Sequence, residues 1–557
     1  MKAAVYQINS KYVHSSLAAW YLSVAIRERG VECDVLEGSI NEDEDTLFFR
    51  ALESGARIIA FSVYIWNVSL VLSLAMRIKA HDPSVTVIVG GPEVSYRASD
   101  IVEEYAYIDY VVSGEGEEPL GALVYSIVTG AELPDIDGIT TRELTRAPYV
   151  MKNDPPCPYT EEYLCRLGGR IAYIETSRGC PFRCAYCLSC RSGGVRFFDI
   201  ERSKRDIITL ARSGASTVKF VDRTFNADRS RAREIFSFII EQHEQGIIPD
   251  GVTFHFEIAG ELVDEATLDI LKAAPRGLFQ FEIGVQSTNE QTLRAIHRYT
   301  DTKKLTRVIT QLSAMGNIHI HTDLIAGLPC EDIESFRRSY NIVASLGSHK
   351  LQLGFLKLLY GSDMREREDI YPCEYESEPP YTVKSTPWLS EDDIRELELV
   401  ERAGDGIYYS GRFDSTVQYL LSATGLDRYS LALILGERFY KNGTPALDSL
   451  FCGLFEYCSS MQGVEREVLR DKLVYDRIRH NSSCVIPEGI RVYDKRLKGI
   501  SRALSERYPQ TPGVRRCVAV LYSEDSVIFA DYDKKHPVTE HYEVSVIPMG
   551  EIYECEL

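Results

Sequence analysis

The chain has 557 residues, 45% of them hydrophobic and 26% charged, with a net charge of −20. Such a length and composition support several ordinary globular cores and exclude a disordered or fibrous protein. The acidic balance speaks against nucleic acid and anionic membrane surfaces as nonspecific partners, because neutralised phosphates supply most of that affinity, but it leaves room for a local basic groove. Fourteen cysteines without regular spacing, and no secretory signal in MKAAVYQINSKYVHSS, fit a reducing, cytoplasmic setting better than a disulfide framework.

Residues 1–130 alternate short β-rich runs with helical ones: AAVYQIN, VECDVLEG, RIIAFSV, VTVIVGG and IDYVVSG each precede a helical stretch. That rhythm predicts five parallel strands wound on both faces, a Rossmann-like α/β domain whose ligand belongs beyond the carboxyl ends of the strands. The uncharged run from Ile58 to Met76 could pass for a membrane span. Ser62, Asn67, Ser69 and Ser73 interrupt it, and it reads as a strand, a loop and a helix. The strand ends carry His14, then Ser62, Tyr64 and Trp66, then Gly90, Gly91, Pro92 and Glu93, then Gly114, Glu115 and Gly116. Glycine there lets the backbone approach a bulky ligand with no Cβ in the way, although a Gly-Gly-Pro run can also merely turn a corner.

Residues 131–168 loosen into a linker, with NDPPCPYT holding three prolines in eight residues. From 169 to 386 the alternation resumes with IAYIETS, TVKFVD, VTFHFEIA, FQFEIGVQS, IHIHTDLIAGLP and LQLGFLKLLYG. Six such units make a partial (β/α)6 barrel of the TIM type, open on one side to a large substrate or a neighbouring domain.

At the end of the first of these strands stands Cys180-Pro-Phe-Arg-Cys184-Ala-Tyr-Cys187. Three thiolates at CxxxCxxC spacing in one short loop can take three corners of a cubane iron–sulfur cluster and leave the fourth iron free to chelate a small molecule. Cys190 adds a ferredoxin-like CxxCxxC, and four thiols could hold structural zinc. The Cys-Pro continuation and the second separated cysteine pair that these readings need are both missing, so Cys190 is expected to be a bystander.

Polar residues at strand ends are what an apolar barrel does not supply by chance. Asp222 and Asn226 end the second strand, Glu257 the third, Glu282, Gln286 and Ser287 the fourth, Asp323 and Gly327 the fifth, and Tyr360 the last. Each could instead be a surface charge or a helix cap. Asp222 and Glu257 stand out because FVDRTFN and FHFEIAGEL bury their neighbours. Cys330, in GLPCED, is expected to be a buried inert thiol.

Residues 387–557 lose the β/α rhythm and read as helices from Glu391 to about Tyr475, followed by a β-hairpin in VRRCVAVLYSEDSVIFADYDKK. This mostly helical C-terminal domain is expected to close the open side of the barrel; a partner-binding module is the alternative.

The run IAYIETSRGCPFRCAYCLSC, with Tyr186 just before the third cysteine, resembles the signature loop of radical S-adenosylmethionine (SAM) enzymes. The GGPE and GEGE loops ahead of it, and the order of the domains, resemble the cobalamin-binding domain that precedes the core in many of those enzymes. The resemblance implies a [4Fe-4S] cluster on Cys180, Cys184 and Cys187, and SAM or the substrate cavity beside Tyr186, Glu282, Gln286, Ser287, Arg298, Asp323 and Gly327. Arg298, in IHRYT, resembles an arginine that pairs with the SAM carboxylate. Asp222, Glu257 and Tyr360 are the candidate catalytic or substrate-contacting residues. Cobalamin would lie against the first domain's loops from His14 to Gly116. The chain departs from the methionine synthase and mutase pattern, since no Asp-x-His-x-x-Gly follows its first strand. No histidine is therefore expected on cobalt; His14 is expected to hydrogen-bond or pack, and Tyr64 or Trp66 to cover the lower face.

What the resemblance implies chemically is reductive cleavage of SAM to a 5′-deoxyadenosyl radical, fed by an external reductant of the flavodoxin or ferredoxin type, and methylation of a carbon centre. The substrate class stays open. Radical cyclisation or rearrangement without methyl transfer is the alternative. A transfer-RNA methylthiotransferase would bring further N-terminal cluster cysteines and a basic C-terminal barrel, and residues 1–130 hold only Cys33.

Overall fold

A computed structural model of the chain describes residues 1–191, 193–508 and 510–553. It divides into two compact units, one comprising Met1–Gln280, Arg294–Tyr299 and Leu356–Pro387, the other Phe281–Leu293, Thr300–Phe355 and Trp388–Leu557. None of the helices among the described residues is long and apolar enough to cross a membrane.

The first unit opens with β1 (Ala3–Asn9), β2 (Cys33–Ser39), β3 (Ile58–Ser62), β4 (Thr86–Gly90), β5 (Tyr110–Val112) and β6 (Ile139–Thr140), in the sheet order β2-β1-β3-β4-β5-β6. The first five are parallel, as the β/α rhythm predicts, and β1 is buried along its whole length. The order reverses direction between β1 and β3, which splays the connections to opposite faces and opens a crevice at the carboxyl ends of those two strands. Asn67 fixes that edge: its amide donates to the carbonyls of Ile8 and Ser62 at 2.9 and 3.1 Å and accepts from the Tyr64 N–H at 2.8 Å. Downstream, Val68–His81 is a helix, so the uncharged run is strand, loop and helix.

β6 pairs antiparallel with β5 from within the stretch expected to be a linker. The physical reason is hydrogen bonding at an open edge. Ser113 donates to Gly138 O at 2.8 Å and accepts from Tyr149 N–H at 3.0 Å, so the proline-rich stretch is preceded by backbone that satisfies β5.

The barrel strands β7 (Ala172–Ile174), β10 (Thr217–Phe220), β11 (Thr253–Ile258), β12 (Phe279–Gln286), β13 (His319–Ala326) and β14 (Lys350–Phe355) follow one another in sequence order, as in a partial (β/α)6 barrel. β7, β10, β11 and the start of β12 belong to the first unit, the rest to the second. Between β7 and β10, the short β8 (Ser177–Arg178) and β9 (Arg196–Phe197) pair antiparallel and close the base of the cysteine loop. Late in the first unit, β15 (Glu374–Tyr375) and β16 (Val383–Ser385) form a small antiparallel pair.

The second unit continues with helices Glu391–Ala403, Asp414–Thr424, Arg428–Phe439, Leu447–Cys458 and Arg466–His480. β17 (Arg516–Leu521) and β18 (Ser526–Asp531) are the expected hairpin, and β19 (Ser545–Pro548) adds a third antiparallel strand. SVIP is too short, and its proline too unfavourable in a sheet interior, to announce an edge strand from sequence.

The strand-end glycines separate two kinds of constraint. Gly91 has φ +117°, and a Cβ there would lie 2.4 Å from Val63 O; Gly130 ends a helix at φ +70° with nothing within 4 Å of a Cβ. Gly91→Ala should lower stability by about 1–3 kcal/mol more than Gly130→Ala, itself a loss of about 1 kcal/mol, read as shifts of the denaturant midpoint.

Candidate functional site

At the crevice of the first unit lies a cavity of about 720 Å³. Its walls include His14, Ser62, Tyr64, Trp66, Gly90, Gly91, Pro92, Gly114, Glu115 and Gly116 from the first sheet's loops, Gly179, Leu188 and Ser189 from the two ends of the cysteine loop, and Arg223 beyond β10. Tyr64 and Trp66 stack with ring centroids 4.4 Å apart and planes 7° from parallel, presenting a flat aromatic surface. Three buried polar atoms of lining residues, Gln7 Oε1, Tyr21 Oη and Ser62 Oγ, have no hydrogen-bond partner among the described residues. Buried polar groups are nearly always satisfied, so these atoms fit a ligand that carries its own donors and acceptors.

In the cysteine loop, Cys187 N–H donates to Cys184 O at 3.0 Å, and Ser189 N–H to Cys187 Sγ at 3.4 Å. Cys180 Sγ is 3.3 Å from Thr224 Oγ1. Arg298 Nη1 donates to Cys184 Sγ at 3.8 Å, with its guanidinium over the Phe182 ring. Burial pushes the Cys184 thiol up, and Arg298 draws it part of the way back. Tyr186 beside it is half-buried, and desolvation raises its phenol as well. No three His, Cys, Asp or Glu among the described residues converge on a single-ion site. A cubane asks for something else, since each of its thiolates faces a different iron. Cys190 turns its Sγ to Cys187 O at 3.6 Å.

The junction of the two sets of loops is one guanidinium. Arg178, two residues before Cys180, donates to Glu115 at 3.2 Å, Glu117 at 2.5 Å and Glu175 at 3.0 Å. Burial by itself would lower the Arg178 pKa, but Glu117 and Glu175 hold it well above the usual value. Burial pushes Glu175 up in spite of Arg178. Burial works the same way on Glu115, but hydrogen bonds from Arg196 and the charge of Arg178 outweigh it and hold that carboxyl below its ordinary value. Glu117 closes the GEGE loop already noted at a strand end, whereas Arg178, Gln7 and Tyr21 were not expected there, since Glu115 and Glu117 lie 63 and 61 residues from Arg178. The one available signal was a charged residue between an apolar strand and a cysteine loop.

Several expected roles change. Gly91 and Gly114 line the cavity, yet a Cβ on either would first strike protein backbone, at Val63 O and at Tyr149 O 2.3 Å away, so close chain packing is what requires glycine there. Glu93 does not line the cavity; its carboxylate accepts from Tyr381 Oη at 2.5 Å. Tyr360 is likewise off the cavity wall, gripped between Arg97, which donates to its hydroxyl at 3.0 Å, and Arg365, 3.6 Å above its ring. Asp222 is buried and accepts from Thr176 N–H at 2.9 Å, Thr176 Oγ1 at 2.7 Å and Ser177 Oγ at 2.6 Å. It positions the strand end that launches the cysteine loop and has little acceptor capacity left for a reacting atom. Asn226 is spent on the backbone of Ala259. Glu257 lies 4.0 Å from Arg223. His14 lines the cavity with Nδ1 2.6 Å from Tyr173 Oη, a hydrogen-bonding role.

Glu282, Gln286, Ser287, Asp323 and Gly327 belong to the second unit. There Ser287 Oγ donates to Glu331 at 2.6 Å and accepts from Asn289 N–H at 2.9 Å, which makes it a structural hydroxyl. Burial raises Glu331 to about 7. Gln286 adopts φ +70° with a buried Oε1. Gly327 turns the chain after β13 at φ +91°. Cys330 is half-buried, at φ +62°.

Residues 4–124 match the B12 binding domain, 174–343 the radical SAM superfamily, and 369–513 a family described as a protein of unknown function, DUF4080. The chain carries a B12-binding domain followed by a radical SAM domain. The B12-binding domain ends near the helix after β5, and the radical SAM domain starts on β7. The cobalamin-dependent radical SAM methyltransferase TokK of Streptomyces tokunonensis is 28% identical over 390 residues, 65% of this chain and 56% of TokK, so the chain spans little more than half of that relative. The radical SAM methyltransferase TsrM of Kitasatospora setae, solved with cobalamin and a [4Fe-4S] cluster, superposes at a TM-score of 0.56 with 20% identity, covering 66% of this chain and 75% of TsrM. The cobalamin-dependent radical enzyme OxsB, solved with aqua-cobalamin and SAM, superposes at 0.59 with 14% identity, over 92% of this chain and 82% of OxsB. Those superpositions speak to the fold.

Replacing Arg178 tests the junction. Arg178→Ala leaves Glu117 and Glu175 without this cation, while Glu115 keeps Arg196, and should cost about 3–5 kcal/mol. In the parent, Glu115 lies below its ordinary value, so its contribution is present above that range and is lost as pH falls through the folded value. In the variant, protonation relieves the unpaired carboxylates, so its deficit relative to the parent should shrink between about pH 8 and about pH 5, measured as denaturant midpoints.

Proposed function

We propose that this chain is a cobalamin-dependent radical SAM enzyme that methylates a carbon centre. Cys180, Cys184 and Cys187 would hold a [4Fe-4S] cluster open to SAM at its fourth iron, and the loops after β1, β3, β4 and β5 would hold cobalamin. The observation that carries this reading is the cavity of the first unit, lined at once by the B12-binding loops and by both ends of the cysteine loop. When bound, the cluster would supply one electron to the sulfonium of SAM, and cobalamin a methyl group for the substrate carbon.

The chain's own residues supply placement. Tyr64 and Trp66 offer a stacked aromatic surface for a planar macrocycle, in keeping with the absence of a cobalt-ligating histidine motif. Gln7, Tyr21 and Ser62 offer polar atoms deep in the wall. Asp222 holds Thr176 and Ser177, Arg178 ties the loops together, and Arg298 sets a cation against the Cys184 sulfur. The enclosing wall keeps water from a reactive carbon centre. An external one-electron reductant of the flavodoxin or ferredoxin type completes the proposal; the substrate class is open.

The test is anaerobic reconstitution with iron, sulfide and cobalamin, then SAM and a reductant. Cys180→Ala, Cys184→Ala and Cys187→Ala should each lose the iron–sulfur absorption and all deoxyadenosine formation, while Cys190→Ala keeps both. Loss of the cluster on replacing Cys190 would put that thiol on the fourth iron and remove the SAM site. A product heavier by one methylene unit supports methylation, and an isomeric product supports rearrangement.

A further inference from the structure

The second unit carries a local reversal of charge that the cofactor chemistry does not use. From Arg491 to Arg516 there are eight Lys or Arg against two Asp or Glu, in a chain of net charge −20. Folding turns much of this outward. In the helix Leu497–Arg507, Ile500 and Leu504 are buried in a cluster with Val520, Val527 and Phe529, so Lys498 and Arg502, one turn apart, share the exposed side. Ahead of the helix, Arg491, Lys495 and Arg496 are exposed, and Tyr493 between them is 82% exposed.

Some of these cations are already engaged. Arg516 pairs with Asp531 at 2.6 Å, Arg496 with Asp494 at 2.8 Å and Arg502 with Glu506 at 3.1 Å. Arg507 donates to Glu551 O, and Arg515 to the carbonyls of Ser482 and Ser483. Arg491, Lys495 and Lys498 make no ion pair among the described residues. The surface therefore offers unpaired cations around an aromatic ring standing in water.

That combination suits one partner chemistry. Cations take phosphates, and an exposed ring takes the face of an unpaired base. A membrane-binding helix would turn its apolar side outward, whereas here that side is buried. An acidic peptide would use the cations and leave the ring idle. A stiff duplex would also run along the acidic remainder of the chain, while a flexible single strand can leave it.

We propose that the surface from Arg491 to Lys498 binds a single-stranded nucleic acid, with phosphates on Arg491, Lys495 and Lys498 and a base stacked on Tyr493. The acidic remainder of the chain repels a polyanion elsewhere and so confines it to this strip.

The test is fluorescence polarisation of labelled single-stranded RNA and DNA oligonucleotides with the full chain over a salt series. Binding should weaken steeply with salt. The triple variant R491E/K495E/K498E should flatten the log–log salt slope by about 2, at about 0.7 per phosphate contact. Tyr493→Ala should weaken binding about tenfold at unchanged slope. All these side chains are exposed, and matching unfolding midpoints would show the variants folded. RNA bound more tightly than DNA, or the reverse, names the source and supports the site. No binding at low salt, equal binding of polyglutamate or of phosphatidylglycerol vesicles, or unchanged binding by the triple variant would each overturn the proposal.

Discussion

The first unit depends on a charge taken out of water. Arg178 sits among Glu115, Glu117 and Glu175, and Arg196 adds a second cation on Glu115. Burying charges costs several kcal/mol per ion and is recovered only when every partner is present with good geometry. Two of the carboxylates come from the loop and helix after β5, and the third from the residue that follows β7. The network therefore sets the B12-binding loops against the start of the cysteine loop, and Cys180 follows two residues later. A pair of neutral contacts could slide; a multiply hydrogen-bonded guanidinium holds a fixed angle.

The cavity beside this network is built by two opposite devices. Backbone comes together where glycine removes a Cβ, as at Gly91 against Val63 and Gly114 against Tyr149, which makes the loops rigid. Buried polar atoms of residues that line the cavity are left unanswered, as at Gln7, Tyr21 and Ser62. Rigidity and unsatisfied polarity together describe a site prepared for a ligand, since orphaned buried groups are a standing cost that binding offsets. Several polar side chains at the strand ends are spent elsewhere. Asp222 anchors the strand end, Glu93 answers Tyr381, and Tyr360 lies between two guanidinium groups. The hard chemistry in such a design is left to cofactors, and the protein supplies position and dryness.

Charge is distributed with the same division of labour. Buried cations act as structural ties within each unit, as Arg178 does in the first and Arg516 in the second. Exposed cations gather between Arg491 and Arg502, against the sign of the chain as a whole. A net charge of −20 conceals that asymmetry, which matters for encounters with a polyanion far more than the total does.

Local pattern by itself determined a good deal. The period of apolar residues marked the β/α rhythm of both halves, because side-chain burial in parallel strands and amphipathic helices leaves a direct trace in sequence. The cysteine spacing marked the cluster loop because its three sulfurs lie in one short segment. Among the candidate residues, His14, Ser62, Tyr64, Trp66 and the glycines at 90, 91, 114 and 116 do line one cavity, since strand ends in a parallel sheet converge by topology. What only the tertiary structure decided is which polar side chains were already committed. Asp222 to Thr176, Glu93 to Tyr381, Ser287 to Glu331, and Arg178 to Glu115 and Glu117 are pairings across dozens to hundreds of residues. A hydrogen bond between such distant positions leaves no period or spacing to read, so the role of each group appears only once its partner is beside it.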